Sequence, residues 1–315
     1  MPLPTLKDVT LVNPVLTDLS IGYQNEALLW DKICPQKGVS YKTGTYPIYT
    51  RDYWFRRAQA AVRAEDGGYN RYGYGIGSGT YATVEIGFEK LLGDPTKAAN
   101  QTGDDLADID TRFLTTLMEL ELEKLVANDA FTASKWGTDS TLAGTNQWSD
   151  FDGSDPIANI DIALRTIRRN VGTVAKKIGC CGALAWEKLK EHPLVIDKYK
   201  HTQKGVMTPE LVAAVLGLDE INVGWSVENT AYEKLPGTAS FTGADIWTDN
   251  FLVRAEGANA MPSMVFIWEE DFKAPWVVEN YRDDKVRGDV TRIRTHYDVV
   301  IASTQHGYLI LDCAA

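Results

Sequence analysis

One long amphipathic segment constrains the fold of this chain more than any other feature. Between residues 104 and 131, apolar side chains recur mostly every three or four positions, the spacing of one face of an α-helix. They are Leu106, Ile109, Phe113, Leu117, Leu120 and Leu125. Asp104 or Asp105 can cap the N-terminus. A helix of about twenty-five residues is close to 40 Å long, which is long enough to form the backbone of a domain.

The residues before this helix predict two extended elements. Residues 1–40 contain four prolines and one short helical candidate, 24–32, in which Ala27, Leu28 and Trp30 can dock on an apolar surface, so we interpret them as an arm. Residues 41–95 contain short β-like runs rich in Tyr and Gly, which predict a long hairpin with GGYNRYGYGIGSGTY at its tip. Because a lone two-stranded ribbon is marginally stable in water, we expect its aromatic side chains to pack against other chains.

These elements supply the candidate inter-subunit contacts. We predict that they are Trp30, Tyr49, Tyr53, Trp54, Phe55, Arg56, Arg57, Tyr72 and Tyr74. Two arginines beside aromatic residues resemble a nucleic-acid-binding patch, but a net charge of -11 and a pI of about 4.9 argue against a protein that grips nucleic acid. Salt bridges to a neighbouring subunit are the favoured interpretation of Arg56 and Arg57.

The segment after the long helix alternates helices and strands. Asp155 as cap and Pro156 at the first helical position begin a helix with an apolar stripe that ends at Gly172. A strand around 178–181, helices at 183–191 and 208–216, and a strand at 221–223 follow. From residue 251 onward β character returns, and these strands are expected to complete a sheet begun earlier. With 44% apolar and 24% charged residues, the chain is typical of a folded α+β protein.

No motif for catalysis, cofactor binding or metal binding is found, so we predict that the protein is not an enzyme. Gly73, Gly75, Gly77 and Gly79 alternate but lack the strand-to-helix context of a phosphate-binding loop, which favours a flexible hairpin tip. The four histidines are scattered, and no serine lies in a GxSxG motif. The four cysteines, with Cys180 and Cys181 adjacent, fit neither a metal site nor a disulfide framework.

Neighbouring acids are interpreted as solvated or interfacial charge clusters. Glu269, Glu270 and Asp271, and likewise Asp283 and Asp284, are adjacent in sequence, so their side chains diverge on a strand or helix. No stretch approaches the roughly 18 apolar residues that span a bilayer, and the first residues lack the pattern of a signal peptide. We therefore expect no membrane partner.

Several segments together carry a resemblance to a known family. They are YQNEALLWDKICPQKGVSYKTGTYPIYTRDYWFR, TNQWSDFDGSDPIANIDIALRTIRR, EKLKEHPLVIDKYKHTQKGVMTPELVAAVLGLDEINVG and ENYRDDKVRGDVTRIRTHYDVVIASTQHGYLI. In these segments, and in the order of its elements, the chain resembles the major capsid proteins of tailed bacteriophages with the Hong Kong 97-like fold. The resemblance covers nearly the whole chain.

This resemblance implies an α+β capsid fold in five parts. They are an N-terminal arm at 1–40, an extended E-loop hairpin at 41–95, a peripheral domain at 96–154 with a spine helix at 104–131, an axial domain at 155–250, and C-terminal strands at 251–315 that return to the peripheral domain. It also implies self-assembly into pentamers and hexamers of an icosahedral virion head around double-stranded DNA, assembled in the host cytoplasm. DNA would be enclosed without sequence-specific binding. Scaffolding protein, portal and decoration proteins would be the other partners.

Some alternatives and details stay open. An encapsulin-type nanocompartment shell would share the same assembly physics, and a soluble hydrolase with an unrecognised site is a second alternative. Because the chain begins near the arm, we expect scaffolding to be a separate protein. Lys42 or Lys90 with Asn280 could form the Lys–Asn cross-link of the family's founding member, but no motif assigns such a pair, and we expect noncovalent reinforcement.

Overall fold

The structure, a computed structural model, describes residues 28–49, 51–57, 65–99, 106–172, 174–200, 208–231, 241–257, 262–269 and 276–314. The helices are α1 (Trp30–Ile33), α2 (Arg51–Trp54), α3 (Asp94–Ala99), α4 (Leu106–Phe131), α5 (Pro156–Val171), α6 (Ala183–Glu191), α7 (Pro193–Lys200) and α8 (Pro209–Leu216). The strands are β1 (Gln36–Val39), β2 (Thr43–Tyr49), β3 (Ile76–Ala82), β4 (Val84–Gly93), β5 (Thr138–Thr141), β6 (Lys176–Gly182), β7 (Glu220–Gly224), β8 (Val227–Asn229), β9 (Gly243–Asp245), β10 (Phe251–Glu256), β11 (Met264–Glu269), β12 (Val277–Asp283), β13 (Gly288–Ile301) and β14 (Gly307–Leu311).

The first sheet is built around the 14-residue strand β13. Strand β4 pairs antiparallel with one edge of β13, and β12 and β11 pair with the other edge in succession, so Tyr297 lies between Val84 and Trp268. Strand β1 extends the sheet in parallel beside β11. Buried residues alternate along β13 at Thr291, Ile293, Thr295 and Tyr297, where the period of a strand places one face on the core.

The long helix α4 packs on this sheet, but with a face that matches the expected one only in part. Its buried row is Leu114, Met118, Leu122 and Val126, spaced four residues apart. The predicted stripe is correct only in its second half: Leu120 and Leu125 pack against the core, whereas Ile109 and Phe113 are 46% and 51% exposed. The reason is that α4 is apolar over much of its circumference, so periodicity alone could not select the face that the sheet and α1 would cover.

A second sheet, in the order β5-β14-β10-β6-β7, has both faces covered. On β10, Leu252 points into the hydrophobic cluster of α4, whereas Phe251 and Val253 point into a second cluster with α5, α6 and α8. A strand buried on both faces reads as a continuous apolar run, and β10 begins Phe-Leu-Val. Of the strands predicted to return to the peripheral domain, β11, β12 and β13 lie in the first sheet, whereas β10 and β14 lie in this second sheet, where β14 pairs with β5.

The helix α5 follows the predicted cap chemistry. Ala158 N donates to Asp155 Oδ1 at 3.0 Å, Pro156 occupies the first turn, and Gly172 ends the helix with a φ of 81°. Ile157, Ile160 and Ile167 of the predicted stripe are buried in the second cluster. Helix α5 thus covers the face of the second sheet that lies opposite α4.

The structure describes only part of the predicted N-terminal arm, 1–40. Residues 1–27 lie outside the described residues, and of the predicted helix at 24–32 the structure has only its end, as α1 at Trp30–Ile33. Leu28 and Leu29 precede the helix, because the buried Glu123 carboxylate binds the backbone N–H groups of Leu29 and Trp30 and sets the helix start there.

Candidate assembly surface

A two-stranded ribbon of β2 and β3 extends from the first sheet. Among the strands that the structure describes, each pairs only with the other, and their register places Gly44 opposite Tyr81 and Gly79 opposite Tyr46. A Cβ on Gly79 would lie 2.2 Å from Cζ of Tyr46, so the tyrosine ring occupies the space beside the glycine. The predicted tip is therefore wrong in its second half, since 76–82 form a strand in which tyrosine rings cover the glycines of the opposite strand.

The base of the ribbon is fixed to the body of the protein. Ala82 N donates to Asp298 Oδ2 of β13 at 2.9 Å, and Thr83 N donates to the carbonyl of Lys42 at 2.8 Å. Strand β4 continues directly from β3 and enters the first sheet. The ribbon is thus an extension of a sheet strand.

The distal end of the ribbon carries a short helix in place of the predicted β run. Residues Arg51–Trp54 form α2, and Arg51 Nη1 donates to Asn170 Oδ1 at 2.8 Å and to Gln305 Oε1 at 3.0 Å. The ring of Phe55 lies against Gly172, where a Cβ would be 2.7 Å from its Cζ. The distal end therefore contacts the end of α5.

Five aromatic side chains at this end form what we call the exposed aromatic cluster. Trp54 and Tyr74 are each 63% exposed, and their rings lie 5.8 Å apart. Phe55, Tyr72 and Tyr53 are 58%, 56% and 47% exposed. None of the ribbon's described side chains is fully buried, and exposed apolar surface of this extent is typical of interaction sites.

Apart from Trp30, the predicted contact residues divide into three groups. Tyr53, Trp54, Phe55, Tyr72 and Tyr74 form the cluster, and Arg56 and Arg57 lie exposed beside it. Tyr49 lies in β2 opposite Ile76, and its side chain is outside the described residues.

The prediction that Trp30 contacts a neighbouring subunit is wrong. Its side chain is only 5% exposed and packs edge-on against Phe266 of its own chain, with the ring centroids 5.4 Å apart. The apolar surface on which this segment was predicted to dock is the hydrophobic core of the same molecule. Trp30 is therefore not available to a neighbouring subunit.

Two buried charged residues hold α1 at its two ends, and the sequence did not predict them. We call this pair, Glu123 and Arg254, the clamp. The fully buried carboxylate of Glu123 accepts hydrogen bonds from Leu29 N, Trp30 N, Ser226 Oγ and Trp247 Nε1, the last at 2.6 Å. At the other end of α1, Arg254 donates to the carbonyls of Ile33 at 2.9 Å and Lys32 at 3.0 Å.

The two charges of the clamp match the polarity of the helix, negative at its N-terminus and positive at its C-terminus. The available signal was the arginine within the apolar strand β10, whereas Glu123 alternates with Glu119 and Glu121 and was not singled out by its neighbours.

Two curated relatives are similar to this chain in sequence. The major capsid protein of Burkholderia phage BcepMu is 26% identical over 251 residues, covering 79% of this chain and 77% of the relative. The major capsid protein of Pseudomonas phage JBD67 is 24% identical over 226 residues, covering 70% of each. No family model matches the chain.

Solved structures agree with these relatives. A phage-related protein from Bordetella bronchiseptica RB50 superposes with a TM-score of 0.68 at 20% identity, covering 96% of this chain and 97% of that protein. The capsid of cyanophage P-SCSP1u superposes with a TM-score of 0.63 at 10% identity, covering 92% of this chain and 90% of the capsid chain. The chain has a phage capsid fold. The resemblance to phage capsid proteins predicted from its sequence is confirmed.

Two serine–histidine pairs lie within hydrogen-bond distance in this capsid fold, and both have a structural role. Ser154 Oγ lies 3.0 Å from His192 Nε2, while Leu194 N donates to His192 Nδ1, so Nε2 carries the proton and faces the serine as a donor. A general base would need the opposite arrangement. His306 Nδ1 lies 2.7 Å from Ser303 Oγ, at the N-cap of the 3-10 turn Thr304–His306. Both contacts order local backbone.

The cysteines of the capsid fold are buried thiols. Burial raises the pKa of Cys34, Cys180, Cys181 and Cys313 above the usual range, which disfavours the reactive thiolate. Among the described residues, no group of three His, Cys, Asp or Glu side chains is placed to hold a metal ion. In the same residues, no helix has the length and apolar character needed to cross a bilayer.

Proposed function

We propose that this protein is the major capsid protein of a tailed phage, and that identical copies form the pentamers and hexamers of an icosahedral head around double-stranded DNA. The observation that carries the proposal is the exposed aromatic cluster on a ribbon rooted in β13, in a chain whose sequence relatives are phage major capsid proteins. The role is structural, not enzymatic.

The cluster has the properties of an assembly contact. Aromatic residues are enriched in the buried parts of protein interfaces, and burial of apolar surface contributes about 25 cal/mol per Å². The cluster lies at one end of an elongated element, whereas the sheet that fixes the ribbon lies at the other end. A contact between two different surfaces of identical copies is heterologous, and such contacts close into rings when the rotation between copies permits.

The observed sheets refine the proposed domains. In this proposal 1–40 is the N-terminal arm, 41–95 is the E-loop, and α4 with the first sheet forms the peripheral domain. Residues 155–250 form the axial domain, which we extend to include β10 and β14 because both strands pair within the sheet of β6 and β7. The axial domain would meet its neighbours at the fivefold and sixfold axes.

The remaining partners follow from the proposed role. Assembly would take place in the host cytoplasm, where a scaffolding protein would guide the chain's own capacity to assemble, and a portal and decoration proteins would join the virion. DNA would be enclosed without sequence-specific contacts, since an acidic chain limits adhesion of phosphate groups.

A second candidate is an encapsulin-type shell. A virus-like particle from Pyrococcus furiosus superposes with a TM-score of 0.52 at 10% identity, covering 96% of each chain, so the fold also occurs in a virus-like particle. A phage head packages DNA, whereas a nanocompartment retains a cargo protein. To separate the two functions, particles are isolated from the source and treated with nuclease, and their protected DNA and their protein content are then measured. Protected DNA indicates a phage head, whereas a retained cargo protein indicates a nanocompartment.

The experiment that tests the proposal is assembly of the purified chain. We expect wild-type protein to form capsomer rings, tubes or closed shells in negative-stain microscopy and sedimentation velocity. The variant Trp54→Ser/Phe55→Ser should stay folded but need roughly tenfold higher concentration to assemble, since about 1.4 kcal/mol of lost burial changes an equilibrium tenfold. Tyr41→Ser, at a residue 75% exposed outside the cluster, is the matched control. A wild-type chain that stays monomeric at all salt concentrations would contradict the proposal.

A further inference from the structure

Six arginines lie on the two segments that touch where the ribbon reaches α5, and we call them the arginine patch. Arg51, Arg56 and Arg57 come from the distal end of the ribbon, and Arg165, Arg168 and Arg169 come from the last turns of α5. The hydrogen bond from Arg51 to Asn170 and the contact of Phe55 with Gly172 hold the two segments together. All six side chains are exposed.

Within the described residues, no carboxylate of the same chain forms a salt bridge with the arginine patch. Arginines of the first sheet pair with carboxylates, as in Arg282 with Asp94 at 2.8 Å and Arg294 with Glu279 at 2.6 Å. Asp52 and Asp161 are the acids on the two segments, so the patch is locally positive.

This local charge matters because the whole chain is acidic. Two copies with a net charge of -11 repel each other, so a contact between them is favoured where one copy presents positive charge to the acidic surface of the other. The patch adjoins the exposed aromatic cluster through Phe55 and Arg56, and the two are therefore continuous in sequence and in space.

We propose that the arginine patch binds carboxylates of a second copy of this chain, and so directs the aromatic cluster to its contact. This inference rests on the proposed shell function and assigns α5 a part in the interface that the ribbon begins. Guanidinium groups suit the role, because each can bind a carboxylate through two parallel hydrogen bonds. Duplex DNA is the competing partner, and the test below separates it from a second copy.

The first test compares charge reversal with charge conservation. Arg165→Glu/Arg169→Glu should raise the protein concentration needed for assembly at least tenfold in 50 mM salt, and Arg165→Lys/Arg169→Lys should restore assembly to within about threefold of wild type. Arg112→Glu/Lys285→Glu changes the net charge equally at exposed positions outside the patch, and it should assemble like wild type. Circular dichroism and thermal unfolding verify that each variant is folded.

The second test identifies the occupant of the patch. In Arg165→Lys/Arg169→Lys, a carbodiimide can join the new amines directly to carboxylates in contact with them. When ¹⁵N-labelled and unlabelled copies are mixed, mass spectrometry should find mixed-isotope peptides that join this segment of α5 to an Asp or Glu of another copy. Cross-links confined to single copies would overturn the proposal.

The outcomes distinguish this inference from the proposed function. If wild type assembles and Arg165→Glu/Arg169→Glu assembles equally well, the inference fails while the shell function stands. If that variant assembles normally but loses binding of a fluorescent 30-base-pair duplex, the patch is a DNA contact and the inference also fails. If wild type does not assemble at any salt concentration, both fail together.

Discussion

At the scale of single residues, the buried charges around α1 carry the clearest stability prediction. Glu123→Ala leaves the N–H groups of Leu29 and Trp30 and the indole N–H of Trp247 without their acceptor in the core. Each unsatisfied buried donor costs about 1–3 kcal/mol, so we expect a loss of at least about 3 kcal/mol in the free energy of unfolding.

Urea unfolding followed by tryptophan fluorescence measures this loss. Glu121→Gln, two residues away on the exposed side of the helix, should change the free energy by less than about 0.5 kcal/mol. Equal effects of the two substitutions would rule out the proposed role of Glu123.

His192 gives a prediction for pH dependence. Burial lowers its pKa below the ordinary value of 6.5, and protonation of Nδ1 would also break the hydrogen bond from Leu194 N. Because the unfolded chain binds this proton more readily, the stabilisation is present above pH 6.5 and is lost as the pH falls below it.

We expect His192→Gln to have a smaller decline in unfolding free energy than wild type between pH 7 and pH 5. Burial also lowers the pKa of His306, so part of the decline should remain in this variant. Identical pH profiles for the two proteins would show that His192 does not contribute.

At the scale of elements, the ribbon depends on rings that lie across glycines. Tyr46 covers Gly79 in the strand opposite, and Gly44 is covered in the same way by Tyr81. Removal of one ring exposes the backbone of both strands without disturbing either hydrophobic cluster.

Tyr46→Ser should therefore increase hydrogen exchange at least tenfold across β2 and β3. Exchange in β10, which lies between two buried faces, should be unchanged. Tyr41→Ser is the control, since Tyr41 is 75% exposed outside the paired residues. Uniform acceleration throughout the protein would mean that the ribbon is not an independent unit.

At the scale of the whole molecule, one sheet couples the two hydrophobic clusters. Leu252 and Phe251 are neighbours in β10, yet they point into different clusters. A cavity made in either cluster therefore weakens the same strand.

We expect Leu252→Ala and Phe251→Ala each to cost about 2–5 kcal/mol and to shift a single common unfolding transition. Circular dichroism reports both clusters together, and tryptophan fluorescence reports Trp247 in one and Trp148 in the other. Two separate transitions, with each substitution moving only one, would show that the clusters unfold independently.

The sequence by itself determined the features that depend on local chemistry. The cap at Asp155, the proline at the first turn and Gly172 specified α5, because caps and turns depend on only a few neighbouring residues. The periodicity of three to four residues was enough to predict α4, and the exposure of the ribbon's aromatic residues followed from its lack of a core, whereas their role as contacts stays a prediction. The capsid resemblance was likewise readable from sequence motifs, and relatives confirmed it.

Only the tertiary structure decided which surfaces those elements buried. It turned Leu114 and Met118 of α4 inward in place of Ile109 and Phe113, enclosed Trp30 between sheet and helix, and placed β10 and β14 in the second sheet. It also paired Glu123 with backbone 94 residues away and brought Arg51 of the ribbon to Asn170 of α5. The physical reason is that burial, strand pairing and charge proximity depend on contacts between distant segments, which a local pattern does not contain.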